Sequence, residues 1–185
     1  MRSDPLAEFV QRLEGIVAQD GRGEEAVLGE VQQAMRMLVA KDDWLPEPFT
    51  RPDPERYRQY LLHADPDDRF CVVSFVWGPG QHTPIHDHCA WGVIGMLRGA
   101  EVTTSFSESA SGMGEGEELT LQPGDVAVVG PVVGDIHKVR NAYADRVSIS
   151  IHAYGTNIGK QTRHVFDPGS GARKDFVSGY SNAAA

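Results

Sequence analysis

The sequence predicts a mainly β, single-domain fold, an antiparallel sandwich or barrel with a helical layer at its N-terminus. Three observations lead there. Apolar residues recur at spacings of three and four up to about residue 40, the stripe of amphipathic helices. Beyond Asp65-Pro-Asp-Asp68 the pattern changes to short runs rich in β-branched and aromatic residues. Turn signals separate those runs at close intervals: Gly78-Pro79-Gly80, Arg98-Gly99, Pro123-Gly124, Gly130-Pro131 and Gly134-Asp135.

In order, residues 5–18 place Leu6, Phe9, Val10, Leu13, Ile16 and Val17 on one helical face. Residues 24–40 do the same with Val27, Leu28, Val31, Ala34, Met35 and Leu38, and Gly21 and Gly23 divide the two helices. Pro46, Pro48, Pro52 and Pro54 break the pattern. Residues 54–64, carrying Tyr57, Gln59, Tyr60 and Leu62, are expected as a short third helix. Strands are expected at 70–77, 91–97, 100–107, 117–121, 125–129, 136–141 and 146–154. The small, polar stretch 107–118 is expected to be a mobile hairpin tip, and the chain after Asp167 a Gly-, Ser- and Ala-rich tail with a frayed end. The single domain 1–185 thus divides into a mostly helical layer (1–66), a β-barrel (67–167) and a tail (168–185).

Composition narrows the function. The 185 residues are 41% apolar and 23% charged, a globular balance. Seventeen basic against twenty-six acidic residues give a formal charge of −9, which argues against nucleic acid and anionic membrane as partners. No apolar run reaches the length of a membrane span, and no apolar block follows the first residues as in a secretory signal. Two cysteines, Cys71 and Cys89, make no disulfide scaffold, so a reducing, cytoplasmic setting is expected.

Histidine placement carries the chemistry. His86 and His88 lie two apart in Thr83-Pro-Ile-His-Asp-His88, so on a strand both rings project into one space and Asp87 points the other way. His137, on a much later strand, supplies a third imidazole if that strand is a neighbour. Three neutral imidazoles form a ligand set for a divalent first-row metal and leave positions open for substrate. Ser150, His152 and Tyr154 alternate along another strand and share a face, so Ser150 can bond one His152 nitrogen and His152 the Tyr154 hydroxyl. His63, His82 and His164 read as surface or supporting residues, Trp77 and Trp91 as core or pocket wall, and Cys71 as a buried small apolar residue.

The pattern Gly80-x5-His86-x-His88 with Gly99, followed by Gly134-x2-His137-x3-Asn141, resembles the paired motifs of the cupin barrels. Cupins usually place a glutamate where this chain has Gly92. The stretch Val76-Trp-Gly-Pro-Gly-Gln-His-Thr-Pro-Ile-His-Asp-His88, with Leu97-Arg-Gly99 and Ser150-Ile-His-Ala-Tyr154, further resembles the cysteine dioxygenase family of thiol dioxygenases over roughly residues 55–165. The resemblance implies a cupin with ferrous iron held by His86, His88 and His137. It implies O2-dependent oxidation of a small thiol to a sulfinic acid, with Ser150, His152 and Tyr154 as the catalytic triad. In the animal enzymes a cysteine at the Gly92 position crosslinks the tyrosine; here Cys89 is out of register and Tyr154 is expected to be free. Those enzymes grip the substrate carboxylate with an arginine where this chain has Gln59, although Arg58 is one position away. The chain is similar to the bacterial glutamine-type branch, which includes 3-mercaptopropionate dioxygenases. That similarity implies that Arg163, on the far side of the pocket from Gln59, binds the carboxylate of 3-mercaptopropionate or L-cysteine. Open alternatives are a strict cysteine dioxygenase, a non-catalytic cupin and a zinc-dependent one. The expected partners are the thiol and O2, with the chain a monomer or weak homo-oligomer.

Overall fold

A computed structural model describes residues 4–19 and 21–182. Helix α1 (Pro5–Val17) starts where the Asp4 carboxylate accepts the Leu6 and Ala7 amides at 3.1 and 3.2 Å, with Pro5 in the first turn. Helix α2 (Glu24–Val39) buries Leu28, Val31, Met35, Leu38 and Val39. Among the described residues no helix is long and apolar enough to cross a membrane.

The remaining chain forms two antiparallel sheets. The first has the order β1–β2–β9–β4–β7, from Arg58–Ala64, Cys71–Trp77, Ser148–Tyr154, Gly92–Arg98 and Val126–Val129. The second has the order β11–β10–β3–β8–β5–β6, from Arg173–Phe176, Arg163–Phe166, Ile85–His86, His137–Asn141, Glu101–Ser109 and Gly112–Leu121. Strands β2 and β9 are buried throughout because both faces are covered; β2 accordingly reads as a nearly continuous apolar run, whereas β9 alternates Ser148, Ser150 and His152 with apolar residues. One face, with Val72, Val76, Ile149 and Ile151, packs on the two helices. The other, with Cys71, Val73, Phe75, Trp77 and Tyr154, looks toward the second sheet. Gly95 admits the helical layer: a Cβ there would lie 2.6 Å from Met35 Cγ and 2.8 Å from Val39 Cγ1.

Three expectations are corrected. Most of 54–64 is not a helix. Residues 58–64 form β1, paired to β2 with Gln59 opposite Phe75. Tyr57, Tyr60 and Leu61 have helical spacing, but in the extended chain Tyr57 and Leu61 pack to one side and Tyr60 and Leu62 to the other, so the segment is apolar on both faces and shows no alternation. The 107–118 stretch is no loose tip, since β5 and β6 pair out to Ser109 opposite Gly112. Gly112, at φ 115°, lies so close to the 168–169 backbone that a Cβ would sit 2.4 Å from Gly169 O. Finally, the segment after Asp167 forms β11, and Ser181 N then donates to Gln59 O at 2.7 Å, so the described part of the tail is built into the barrel.

Candidate metal centre and substrate cavity

His86 on β3 and His137 on β8 are register partners on adjacent strands, with ring centroids 4.8 Å apart. His88 lies beyond the end of β3, so strand alternation alone does not aim it. Asp135 does: its carboxylate accepts the His88 backbone N–H at 3.1 Å and faces His88 Nδ1 at 3.0 Å. Asp135 was not singled out in the sequence, although it stands two residues before His137. Burial works against its charge, but the hydrogen bond to His88 holds its carboxyl below the usual range.

The three rings could hold a metal, one nitrogen from each lying within 4.8 Å of the others. The donor chemistry fits. Nδ1 of His86 donates to Pro84 O at 3.0 Å, Nδ1 of His88 is taken by Asp135, and Nδ1 of His137 is 3.0 Å from Thr103 Oγ1. The Nε2 lone pairs are left to converge. Burial, then the neighbouring His88, pushes His86 well below its ordinary pKa; burial, then His86 and His88, does the same to His137. Neutral imidazole is the form that binds a cation.

Beside the rings, Ser150 Oγ is 2.9 Å from His152 Nε2, and His152 Nδ1 is 2.8 Å from the Tyr154 hydroxyl. Trp77 Nε1–H donates to the same Ser150 Oγ at 3.1 Å. The Tyr154 ring stacks on His88, with centroids 5.5 Å apart. Burial raises the Tyr154 pKa, so it stays a neutral hydroxyl. Gly92 pairs directly with Tyr154, and a Cβ there would lie 2.9 Å from the ring and 2.8 Å from Val129 Cγ2. Cys89 is exposed, and its Sγ lies 3.9 Å from His164 Nδ1.

A cavity of about 230 Å³ opens onto His86, His137, His152 and Tyr154, with Arg163 in its wall. Arg163 is only 4% exposed. Its guanidinium lies 4.6 Å over the Phe176 ring, Nη2 donates to Ser178 Oγ at 2.9 Å, and the buried Nε has no partner. Gln59 does not stand across the pocket from it: Gln59 Nε2 donates to the same Ser178 Oγ at 3.0 Å, so the two residues are neighbours joined through one hydroxyl. Arg58 alternates away and pairs with Asp53. Ser178 and Phe176 escaped the sequence reading because their segment looked like tail.

Asp87, Cys89 and His164 form a second cluster of possible ligands. There Asp87 accepts the His164 N–H at 2.8 Å and pairs with its Nδ1 at 2.7 Å, tying β10 to the turn after β3. Burial, then the nearby Asp87 and Asp135, pushes the Cys89 thiol up to about 11, which makes it a poor nucleophile.

A helical layer on a double-sheet antiparallel barrel, with three inward histidines that could hold a metal, is the architecture of a cupin. The sequence profile described as Cysteine dioxygenase type I matches residues 1–168, and the chain belongs to that family. It is 25% identical over 177 residues to Cysteine dioxygenase type 1 of Bos taurus, covering 93% of this chain and 84% of that one. The Homo sapiens relative of the same name is 26% identical over 171 residues, covering 90% and 80%. Among solved structures, a double-stranded β-helix protein of Klebsiella pneumoniae superimposes on 70% of this chain and 91% of its own, with a TM-score of 0.47 and 18% identity.

Proposed function

We propose that the protein is a non-haem iron thiol dioxygenase that converts a small thiol carboxylate to its sulfinic acid. In the reaction RSH and O2 give RSO2H, with both oxygen atoms retained and no external reductant. The observation that carries this reading is the pairing, across one small cavity, of three convergent imidazoles with a buried arginine whose Nε has no partner. Ferrous iron held by His86, His88 and His137 would supply the electron chemistry with O2 and lower the thiol pKa.

The chain's own residues do the rest. The Arg163 fork matches a carboxylate, and its stacking on Phe176 and bond to Ser178 fix its plane. Phe75, Trp77 and Val139 line the cavity and keep it dry. Tyr154, backed by His152 and Ser150, presents a positioned hydroxyl to the reacting atoms. About 230 Å³ suits a few heavy atoms and is below the size of a drug-sized site. Carboxylate binding through Arg163 requires no substrate amine, which favours 3-mercaptopropionate. The names of the curated relatives favour the second reading, L-cysteine.

The test is oxygen uptake and product mass for the iron-loaded protein with 3-mercaptopropionate, L-cysteine and cysteamine. One sulfinate per O2, with 3-mercaptopropionate used at least as efficiently as cysteine, is expected. No uptake with any thiol, or a bound zinc ion that iron does not replace with activity, would overturn the reading.

A further inference from the structure

Among the described residues, Glu101 is the one carboxylate completely sealed inside the barrel that the reading above does not use. It is 0% exposed, and neither carboxylate oxygen is held in a hydrogen bond of good geometry, although Ser150 and Trp77 stand close enough to act on it. Side chains two apart on a strand share a face, so Glu101 points inward with Thr103, whose hydroxyl meets His137. The polar groups that act on its carboxyl are the Ser150 hydroxyl and the Trp77 indole N–H, the pair already bonded to each other at the inner end of the triad. Its strand partners, Leu121 and Asn141, carry no charge. The titratable groups facing it are His152 and Tyr154 of β9, reached through Ser150, and no charged side chain contributes to its shift.

We propose that Glu101 is a positioning residue that closes the Tyr154–His152–Ser150 chain at its inner end and sets the direction in which its hydrogen bonds run. A hydroxyl donates once and accepts twice. Ser150 accepts from Trp77 in either state, so its remaining lone pair and its proton must be divided between Glu101 and His152. With Glu101 protonated, the carboxylic acid donates to Ser150, Ser150 donates to His152 Nε2, and His152 Nδ1–H donates to the Tyr154 oxygen. The tyrosine proton is then free to point into the cavity. With Glu101 ionised, each bond reverses: Ser150 donates to the carboxylate, His152 Nε2–H donates to Ser150, and Tyr154 donates to His152 Nδ1. The cavity then meets a tyrosine oxygen that can only accept. The switch consumes one proton, lost from Glu101, while His152 exchanges tautomers. Burial pushes the Glu101 carboxyl up to about 7, with Ser150 and Trp77 pulling the other way, so both states are reached near neutrality. The role in turnover rests on the proposed thiol oxidation; the tautomer exchange does not.

The decisive measurement is nitrogen-15 NMR of His152 in the metal-free protein across neutral pH. In wild type, His152 should carry its proton on Nδ1 at the acid end and on Nε2 at the alkaline end, with a midpoint near that of Glu101. Glu101→Gln, whose amide still donates to Ser150, should hold the Nδ1–H tautomer at every pH. Ser150→Ala should uncouple His152 from Glu101. A single tautomer throughout in wild type, or an unchanged exchange in Glu101→Gln, overturns the proposal. In the iron-loaded protein, kcat should fall about tenfold per pH unit above the midpoint in wild type and stay flat in Glu101→Gln, with KM little changed. Tautomer exchange without thiol oxidation would leave Glu101's role intact and remove the proposed reaction instead.

Discussion

Replacing Arg163 by alanine is the sharpest test of how the substrate is held. The side chain is buried, its guanidinium is stacked on Phe176, and its Nε is unpaired. Removing it would leave a substrate carboxylate in a cavity with Ser178 and Gln59 bonded to each other. Truncating one partner of a buried, hydrogen-bonded charge pair costs about 2–5 kcal/mol. At 1.36 kcal/mol per tenfold, kcat/KM for 3-mercaptopropionate should fall roughly thirty- to several-thousand-fold. Cysteamine, which lacks a carboxylate, should be indifferent. Arg163→Lys keeps the charge and loses the fork, so its loss should be intermediate. Steady-state oxygen uptake with the three thiols gives these constants. Circular dichroism and iron content check that the β10–β11 region and the histidines are undisturbed. Equal losses for all three thiols, with fold and iron intact, would refute carboxylate binding by Arg163.

Other outcomes follow from the same geometry. His137→Ala removes one of three convergent ligands, so iron per chain measured by atomic emission should fall far below stoichiometric; full occupancy would show that the third ligand is another residue. Gly92→Ala drives a Cβ to 2.9 Å from the Tyr154 ring, an overpacking cost of about 1–3 kcal/mol that should lower the melting temperature by several degrees and reduce turnover. Unchanged melting and kinetics would mean that the ring moves aside freely. The folded state keeps the Glu101 proton that the unfolded chain releases, since the pKa rises from 4.5 to about 7. Stability should therefore decline as pH rises through that window, by at most about 3 kcal/mol. Glu101→Leu should remove the decline and exceed wild type in urea midpoint above pH 7. A wild type whose stability is level across the window would contradict the burial argument.

The strands that were legible in the sequence are those whose residues are buried by their own composition. β2 and β4 announce themselves as apolar runs and β9 by its alternation. β3 is two residues long, and its pairing to β8 and β10 is set by the chain around it. β1 carries apolar residues on both faces and so shows no alternation, and β11, with three exposed residues of four, has no hydrophobic pattern to read. The histidines were legible because their spacing is local, although Asp135 rather than strand alternation aims His88. Asp135, Thr103, Ser178 and Glu101 were not, because each matters through a residue distant in sequence: Asp135 through His88, Thr103 through His137, Ser178 through Gln59 and Glu101 through Ser150.

The segment from β11 to residue 182 also bears on how the molecule avoids its own kind. β1 ends one sheet and β11 ends the other. An edge strand offers a row of unpaired amides and carbonyls to any passing strand. Here Ser181 N donates to Gln59 O at 2.7 Å, Gln59 N donates to Ser181 Oγ at 2.9 Å, and Leu61 N donates to Asn182 Oδ1 at 2.9 Å, so the outer rim of β1 is already engaged. The segment whose Phe176 and Ser178 seat Arg163 thus continues into Ser181 and Asn182, which guard β1 against edge-to-edge association. Loosening them would expose a self-complementary rim as well as a wider pocket, so substrate-range variants made in this segment should be watched for aggregation before their kinetics are interpreted.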